Sequence, residues 1–242
     1  MKFVRWIFVV LVGALAFAAC SSGPADHRVL FVGNSFTFGN GMPAMVEEIA
    51  EANGTSIDWE MVAIGGAYLD EHQFNNEVTG FLQSGEFDTV VFQEQSVITS
   101  VPNLANSRTI PAATALDNMA DANGVRVIWF QTWGHQNGFA EVGHDGFTSM
   151  QDQVTATYDV IASRTGGTVA PVGEAFRHSL VTGQGVSLFH ADGSHSSPAG
   201  SYLAALEITD AVILAPVAEA PSVSGVDGET AALLFTGFQT AP

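Results

Sequence analysis

The chain has 242 residues, of which 47% are hydrophobic, so it is long enough to bury a sizeable core, and disorder of the whole chain is excluded. Its single cysteine excludes an intramolecular disulfide scaffold and any Cys-rich zinc or iron–sulfur site. With 25 acidic residues against 7 basic ones, the chain repels phosphate backbones, which argues against nucleic acid as a partner.

The first residues read as a targeting segment. Lys2 and Arg5 precede a 14-residue apolar run from Trp6 to Ala19, short for a membrane span and typical of a secretory h-region. Leu15-Ala16-Phe17-Ala18-Ala19-Cys20 resembles a bacterial lipobox, with Phe17 where leucine is usual. That resemblance implies cleavage before Cys20 and lipidation of its thiol. Plain secretion and an uncleaved anchor are the other two readings. The expected organisation is a signal peptide at 1–19, a tether at 20–25 and one domain at 26–242, in an extracytoplasmic, membrane-anchored protein. Past the signal only five arginines face the 25 acids.

Strands and helices then alternate. His27–Val32 is an apolar run ending at Gly33, the pattern of a buried strand. Met42–Asn53 has helical spacing, with Met42, Met45, Val46, Ile49 and Ala50 on one face, Pro43 in the first turn and Gly54 as the stop. Ile57–Ile64 predicts a second strand ending at Gly65-Gly66, and Tyr68–Ser84 is helical in part. Thr89–Gln93 predicts a third strand, Pro111–Asn123 a helix, and Val125–Phe130 a fourth strand. Phe147–Thr165 predicts a helix, Thr168–Val172 a short fifth strand, Pro198–Leu214 a late helix and Glu229–Phe235 a closing one. This alternation indicates an α/β fold with a parallel sheet covered on both faces.

In open parallel sheets functional groups gather beyond the carboxyl ends of the strands. Ser35 stands there after strand one, either as a nucleophile near helix-start N–H groups or as an ordinary N-cap. Asp192-Gly193-Ser194-His195 spaces a carboxylate so that it can reach the imidazole Nδ1, leaving Nε2 to take a proton from a serine. The other readings are an Asp-Gly turn with a surface histidine, or a metal site of His190, Asp192 and His195. Gly65 and Gly66 can present backbone N–H groups, and Gln93 and Gln95 offer amides at a strand end, for an oxyanion or for loop capping. Trp133, His135, His144 and Phe147 follow strand four and suit either substrate contact or loop packing. His27, His72 and His178 have no convergent partners and read as structural or surface residues.

Taken in order, these elements resemble the SGNH hydrolase superfamily, which has Ser, Gly, Asn and Asp-x-x-His in successive blocks. The resemblance spans about Val29 to Leu206 and rests on VLFVGNSFT, VVFQEQS and DGSHSSPAGSYLAAL. It implies a three-layer α/β/α, flavodoxin-like fold with about five parallel strands. Ser35 would be the nucleophile, His195 the base and Asp192 its orienting acid. Backbone N–H groups of Ser35 and Gly66 would form the oxyanion hole. The third block departs from the family's Gly-x-Asn-Asp: Gln93-Glu94-Gln95-Ser96 stands there, and Gln95 falls on the asparagine. The implied activity is ester hydrolysis through an acyl-serine, on a small-molecule or carbohydrate ester such as an O-acetyl group, with no metal or organic cofactor. Gln93, Trp133 and His135 are the expected substrate contacts. An acyltransferase on the same residues and an inert, lipid-anchored glycan-binding protein are the alternative functions.

Overall fold

The computed structural model describes residues 24–240. The signal segment and Cys20 lie outside the described residues, as does most of the tether. The strands are β1 (His27–Gly33), β2 (Ile57–Ala63), β3 (Thr89–Gln93), β4 (Arg126–Phe130) and β5 (Thr168–Ala170). They form one parallel sheet in the order β2-β1-β3-β4-β5. In β1 the side chains alternate between two cores: Val29 and Phe31 enter one, Leu30 and Val32 the other. Both faces are apolar because both are covered.

Two short helices lead from β1 and β2, α1 (Ser35–Phe38) and α3 (Leu69–His72), with α2 (Met42–Ala52) between them in sequence. Next come α4 (Asn76–Gln83), α5 (Ser96–Ser100), α6 (Pro102–Leu104), a π-helical turn at Ala105–Thr109, and α7 (Ile110–Ala122). The chain continues through α8 (Phe147–Arg164), α9 (Val172–Thr182), α10 (Pro198–Ile213) and α11 (Gly228–Thr240). Side chains of α2, α9, α10 and α11 build the core on the Phe31 face. Those of α4, α7 and most of α8 build the core on the Leu30 face. The result is the three-layer α/β/α arrangement expected.

The order of strands reverses between β1 and β3: the chain goes outward from β1 to β2, then crosses back to β3 on the other side. A cleft therefore opens above the carboxyl ends of these two strands. The fifth strand is shorter than the sequence indicates. Pro171 has no N–H to give a ladder, so β5 stops at Ala170 and Val172 belongs to α9 instead. The helical stretch from Ser96 to Thr109 is likewise absent from the sequence reading, because β-branched residues and Pro102 break its pattern. Among the described residues no helix is long and apolar enough to cross a membrane.

Helix α10 is buried nearly all round, which is the mark of a helix with neighbours on several sides. Its Glu207 is 8% exposed, and burial, followed by the nearby Asp210, pushes its carboxyl up to about 7. Between the ordinary value of 4.5 and about 7 the unfolded chain has released this proton while the folded chain keeps it. Its contribution to stability therefore falls as pH rises through that window and is level above it. Glu207→Gln is expected to melt higher than the parent at about pH 8 and at the same temperature at about pH 4. Equal melting temperatures at both would show that the carboxyl carries no such penalty.

Candidate active site

Three strand ends and one long connection meet above the cleft. After β1, Asn34 caps α1: its Oδ1 accepts from Phe36 N at 3.1 Å. Asn34 O accepts from Thr37 N and Phe38 N. Ser35 N is bypassed by these bonds and donates to no acceptor among the described residues. Ser35 is thus held at a helix start with its own N–H available.

The loop is braced from below by β3. Gln93 is 1% exposed, and its Oε1 accepts from Asn34 N at 2.8 Å and Thr37 Oγ1 at 2.9 Å. Its Nε2 donates to Glu94 O at 2.7 Å. Gln93 is buried with its oxygen spent on the serine loop and lines neither cavity beside Ser35, which corrects the substrate contact expected of it. Gly33 is required at this crossing, since a Cβ there would strike Gln93 Oε1 and Thr37 Oγ1. His72, read from the sequence as a structural or surface residue, is buried beside them and donates Nε2–H to Gly33 O at 2.8 Å. Burial lowers its pKa, which favours the neutral ring.

After β2, Ala67 N donates to Ile64 O and closes a turn around Gly65 and Gly66. Gly66 has φ +76, the left-handed value that such a turn asks of its third residue. Asn34 Nδ2 donates to Ala67 O at 2.9 Å and ties this turn to the serine loop. After β3, Gln95 caps α5: its Oε1 accepts from Val97 N at 2.7 Å and Ile98 N at 3.0 Å. The cap fixes which end of the amide is spent, leaving Nε2 without a partner among the described residues. Gln95 and Gly66 line one cavity of about 250 Å³ together with Ser35 and His195.

The connection from α9 to α10 carries Asp192 and His195. Ser35 Oγ donates to His195 Nε2 at 2.9 Å, and His195 Nδ1–H donates to Asp192 Oδ2 at 2.7 Å. Carboxylates only accept, so the Nδ1 proton is fixed by its partner. Asp192 Oδ1 also accepts from Ser194 N and His195 N, both at 2.9 Å. These bonds, that of Ser194 N first, hold its carboxyl far below the usual carboxylate range. Among the described residues no three His, Cys, Asp or Glu side chains converge to hold a metal ion, so His190, Asp192 and His195 do not form such a group.

Trp133 is also placed differently from the expectation. It is 0% exposed, donates Nε1–H to Ser194 O at 2.8 Å, and stacks on Phe36 at 4.8 Å and Phe176 at 4.5 Å. It supports the histidine loop from beneath and reaches no substrate. Phe36 in turn stands perpendicular to the His195 ring, with centroids 5.6 Å apart. His144 donates Nε2–H to Ser100 O at 3.0 Å and is buried, so it ties its loop to α5. His135 remains at the cleft: it is half-buried, lines the cavity of Ser35, and burial lowers its pKa. A second cavity of about 260 Å³ opens on the other side of Ser35, lined by Phe38, Asn40 and His190.

No family model matches the chain, and no curated protein does. Among solved structures it is similar to a candidate SGNH hydrolase from Slackia heliotrinireducens at 31% identity, with TM-score 0.64, over 76% of this chain and 98% of that one. A DUF4886 family protein from Bacteroides uniformis is 19% identical, with TM-score 0.72, over 87% of this chain and 92% of that one. Axe2, an acetylxylan esterase from Geobacillus stearothermophilus, is 15% or 16% identical across its structures. One of them has TM-score 0.60 over 78% of this chain and 94% of that one. The last two are likenesses of fold.

The Gln93 brace can be tested alone. Gln93→Leu leaves Asn34 N and Thr37 Oγ1 buried without an acceptor, at about 1–3 kcal/mol for each. Urea denaturation is expected to show a loss of that order. An unchanged midpoint would remove the amide from this role.

Proposed function

This chain belongs to the SGNH hydrolase family, and we propose that it is a serine esterase acting through Ser35, His195 and Asp192. The observation that carries the reading is the hydrogen-bonded relay from Ser35 Oγ to His195 to Asp192, at 2.9 and 2.7 Å, beside an unspent Ser35 N–H. As Oγ attacks the ester carbonyl, its proton passes to His195 Nε2. Asp192 stabilises the imidazolium through Nδ1–H and stays ionised, consistent with its lowered pKa. The N–H groups of Ser35 and Gly66 and the Nε2 of Gln95 receive the developing oxyanion. His195 then protonates the leaving alcohol, and water activated by the same ring releases the acid.

The cavity that holds these donors favours a small acyl group such as acetyl. At about 250 Å³ it is smaller than the ~300–1,000 Å³ of pockets for drug-sized ligands. The alcohol lies toward the cavity of Phe38, Asn40 and His190, which His195 also borders. Axe2 is an acetylxylan esterase by name, and that supports a carbohydrate acetate as the natural substrate class. The lipobox-like segment ending at Cys20 supports an envelope location with a lipid anchor. Expressed in a bacterium, the parent is expected to take up labelled palmitate and Cys20→Ser to take up none. Equal labelling would exclude the anchor.

Hydrolysis of p-nitrophenyl acetate, butyrate and octanoate by the full chain tests the chemistry. Ser35→Ala and His195→Ala are expected to fall to background, with acetate the best substrate of the parent. Gln95→Glu keeps the oxygen that caps α5 and deletes the Nε2 donor. It is expected to lower kcat by about 10²–10³ with little change in KM. Activity surviving in Ser35→Ala would overturn the mechanism.

A further inference from the structure

Between Gln93 and Gln95 lies a carboxyl that the reaction above does not use. Glu94 is 1% exposed, and no cation pairs with it among the described residues. Its Oε1 accepts from two backbone N–H groups of different segments, Leu69 at 3.2 Å and Gln95 at 2.8 Å. Its Oε2 accepts from Thr109 Oγ1 at 3.0 Å. Three charged or titratable groups face it. Asp70 on α3 is one; Arg108 is the second, and its Nε and Nη2 are taken up by Asp70 at 2.6 and 2.9 Å. Tyr158 on α8 is the third, and its hydroxyl receives Glu94 N at 3.4 Å.

Leu69 starts α3 three residues after Gly66, and Gln95 carries the side-chain amide of the same cavity. One carboxylate oxygen therefore pins together the two segments that bring the distal oxyanion donors. Resting on the esterase reading, we propose that Glu94 is a positioning residue: by holding Leu69 N–H and Gln95 N–H on one oxygen, it sets the separation of Gly66 and Gln95 and so the width of the oxyanion hole. Charge matters as well as place, because an ionised acceptor bonds roughly twice as strongly as a neutral one. Burial pushes the carboxyl up to about 7, against the pull of its three donors. Its pins are thus strongest above neutrality and weaken as the pH falls.

The test compares Glu94→Gln, Glu94→Ala and Ser35→Ala with the parent, as full chains, on p-nitrophenyl acetate across pH. Glu94→Gln keeps an oxygen for both N–H groups but cannot titrate; Glu94→Ala leaves them unpaired. Glu94→Ala is expected to lose about 10–10² in kcat with KM nearly unchanged, less than deleting a donor outright. Glu94→Gln is expected to recover most of that loss. Its acid limb should also be one proton shallower than the parent's. A carboxyl with a purely structural role would lower the melting temperature of Glu94→Ala and leave kcat and the acid limb of the folded enzyme as they are. That result overturns the proposal while Ser35→Ala at background keeps the esterase reading. Where Glu94→Ala does not fold, the Glu94→Gln acid limb decides alone, and a limb identical to the parent's overturns it. Activity retained by Ser35→Ala removes the esterase reading and the Glu94 assignment together.

Discussion

A single buried amide fixes the geometry on which the candidate site depends. Gln93 ends β3 directly beside the end of β1, and its oxygen takes both the N–H of Asn34 and the hydroxyl of Thr37. The parallel pairing of β1 with β3 brings those groups together, and the lack of a Cβ at Gly33 lets them close. With Asn34 N spent below and Asn34 Oδ1 spent on Phe36, the tight start of α1 passes over Ser35 N. The free N–H is thus a consequence of how its neighbours are satisfied. A polar side chain at 1% exposure is tolerable because its oxygen is bonded to the serine loop and its amide nitrogen to Glu94 O.

The histidine side is built by another means. The connection between α9 and α10 has little regular structure, so its position comes from side chains and single backbone bonds. Trp133 takes Ser194 O, Gln136 N takes Gly193 O at 2.7 Å, and Phe189 bridges to Ser196. The stack of Phe36, Trp133 and Phe176 runs from the serine helix through the sheet edge to α9. It couples the two halves of the relay through one rigid column, since stacked aromatics leave few alternative packings. Ser35 and His195, 160 residues apart in sequence, meet at 2.9 Å because both rest on this column.

The sequence was legible where the physics is local. The apolar runs of β1, β3 and β4 are bounded by glycine and polar residues, and their ends fall within a residue of the expected ones. Asp192 and His195 sit in one turn, so their contact follows from spacing alone. The approach of Ser35 to His195 does not follow from spacing, and at sequence level it rested on family resemblance. Gln93 and Trp133 show what composition hides. An amide at a strand end and an indole in a loop look like substrate groups until the direction of each side chain is known. Both point down, into the supports of the site. The fifth strand was expected to run two residues further because Thr168, Val169 and Val172 are β-branched; the feature that ends it is the missing N–H of Pro171, a constraint of bonding rather than of hydropathy.

The same distinction between local and remote effects bears on charge. In the proposed reaction, 25 acids against the five arginines beyond the signal segment surround Ser35 with a field that would oppose a new oxyanion. Salt screens exposed carboxylates beyond roughly 10 Å, so most of that field does not reach the reacting carbonyl. What remains must be offset at contact distance, where dipoles held in a partly dry cleft act with little screening. In the proposed site, donors drawn from three strand ends would meet that need: Ser35 after β1, Gly66 after β2 and Gln95 after β3. None of them carries charge, so none is neutralised by the acidic surface or lost to an ion pair on it. A lysine or arginine in the same place would be drawn toward those carboxylates. The amide of Gln95, anchored by its own oxygen to α5, is not.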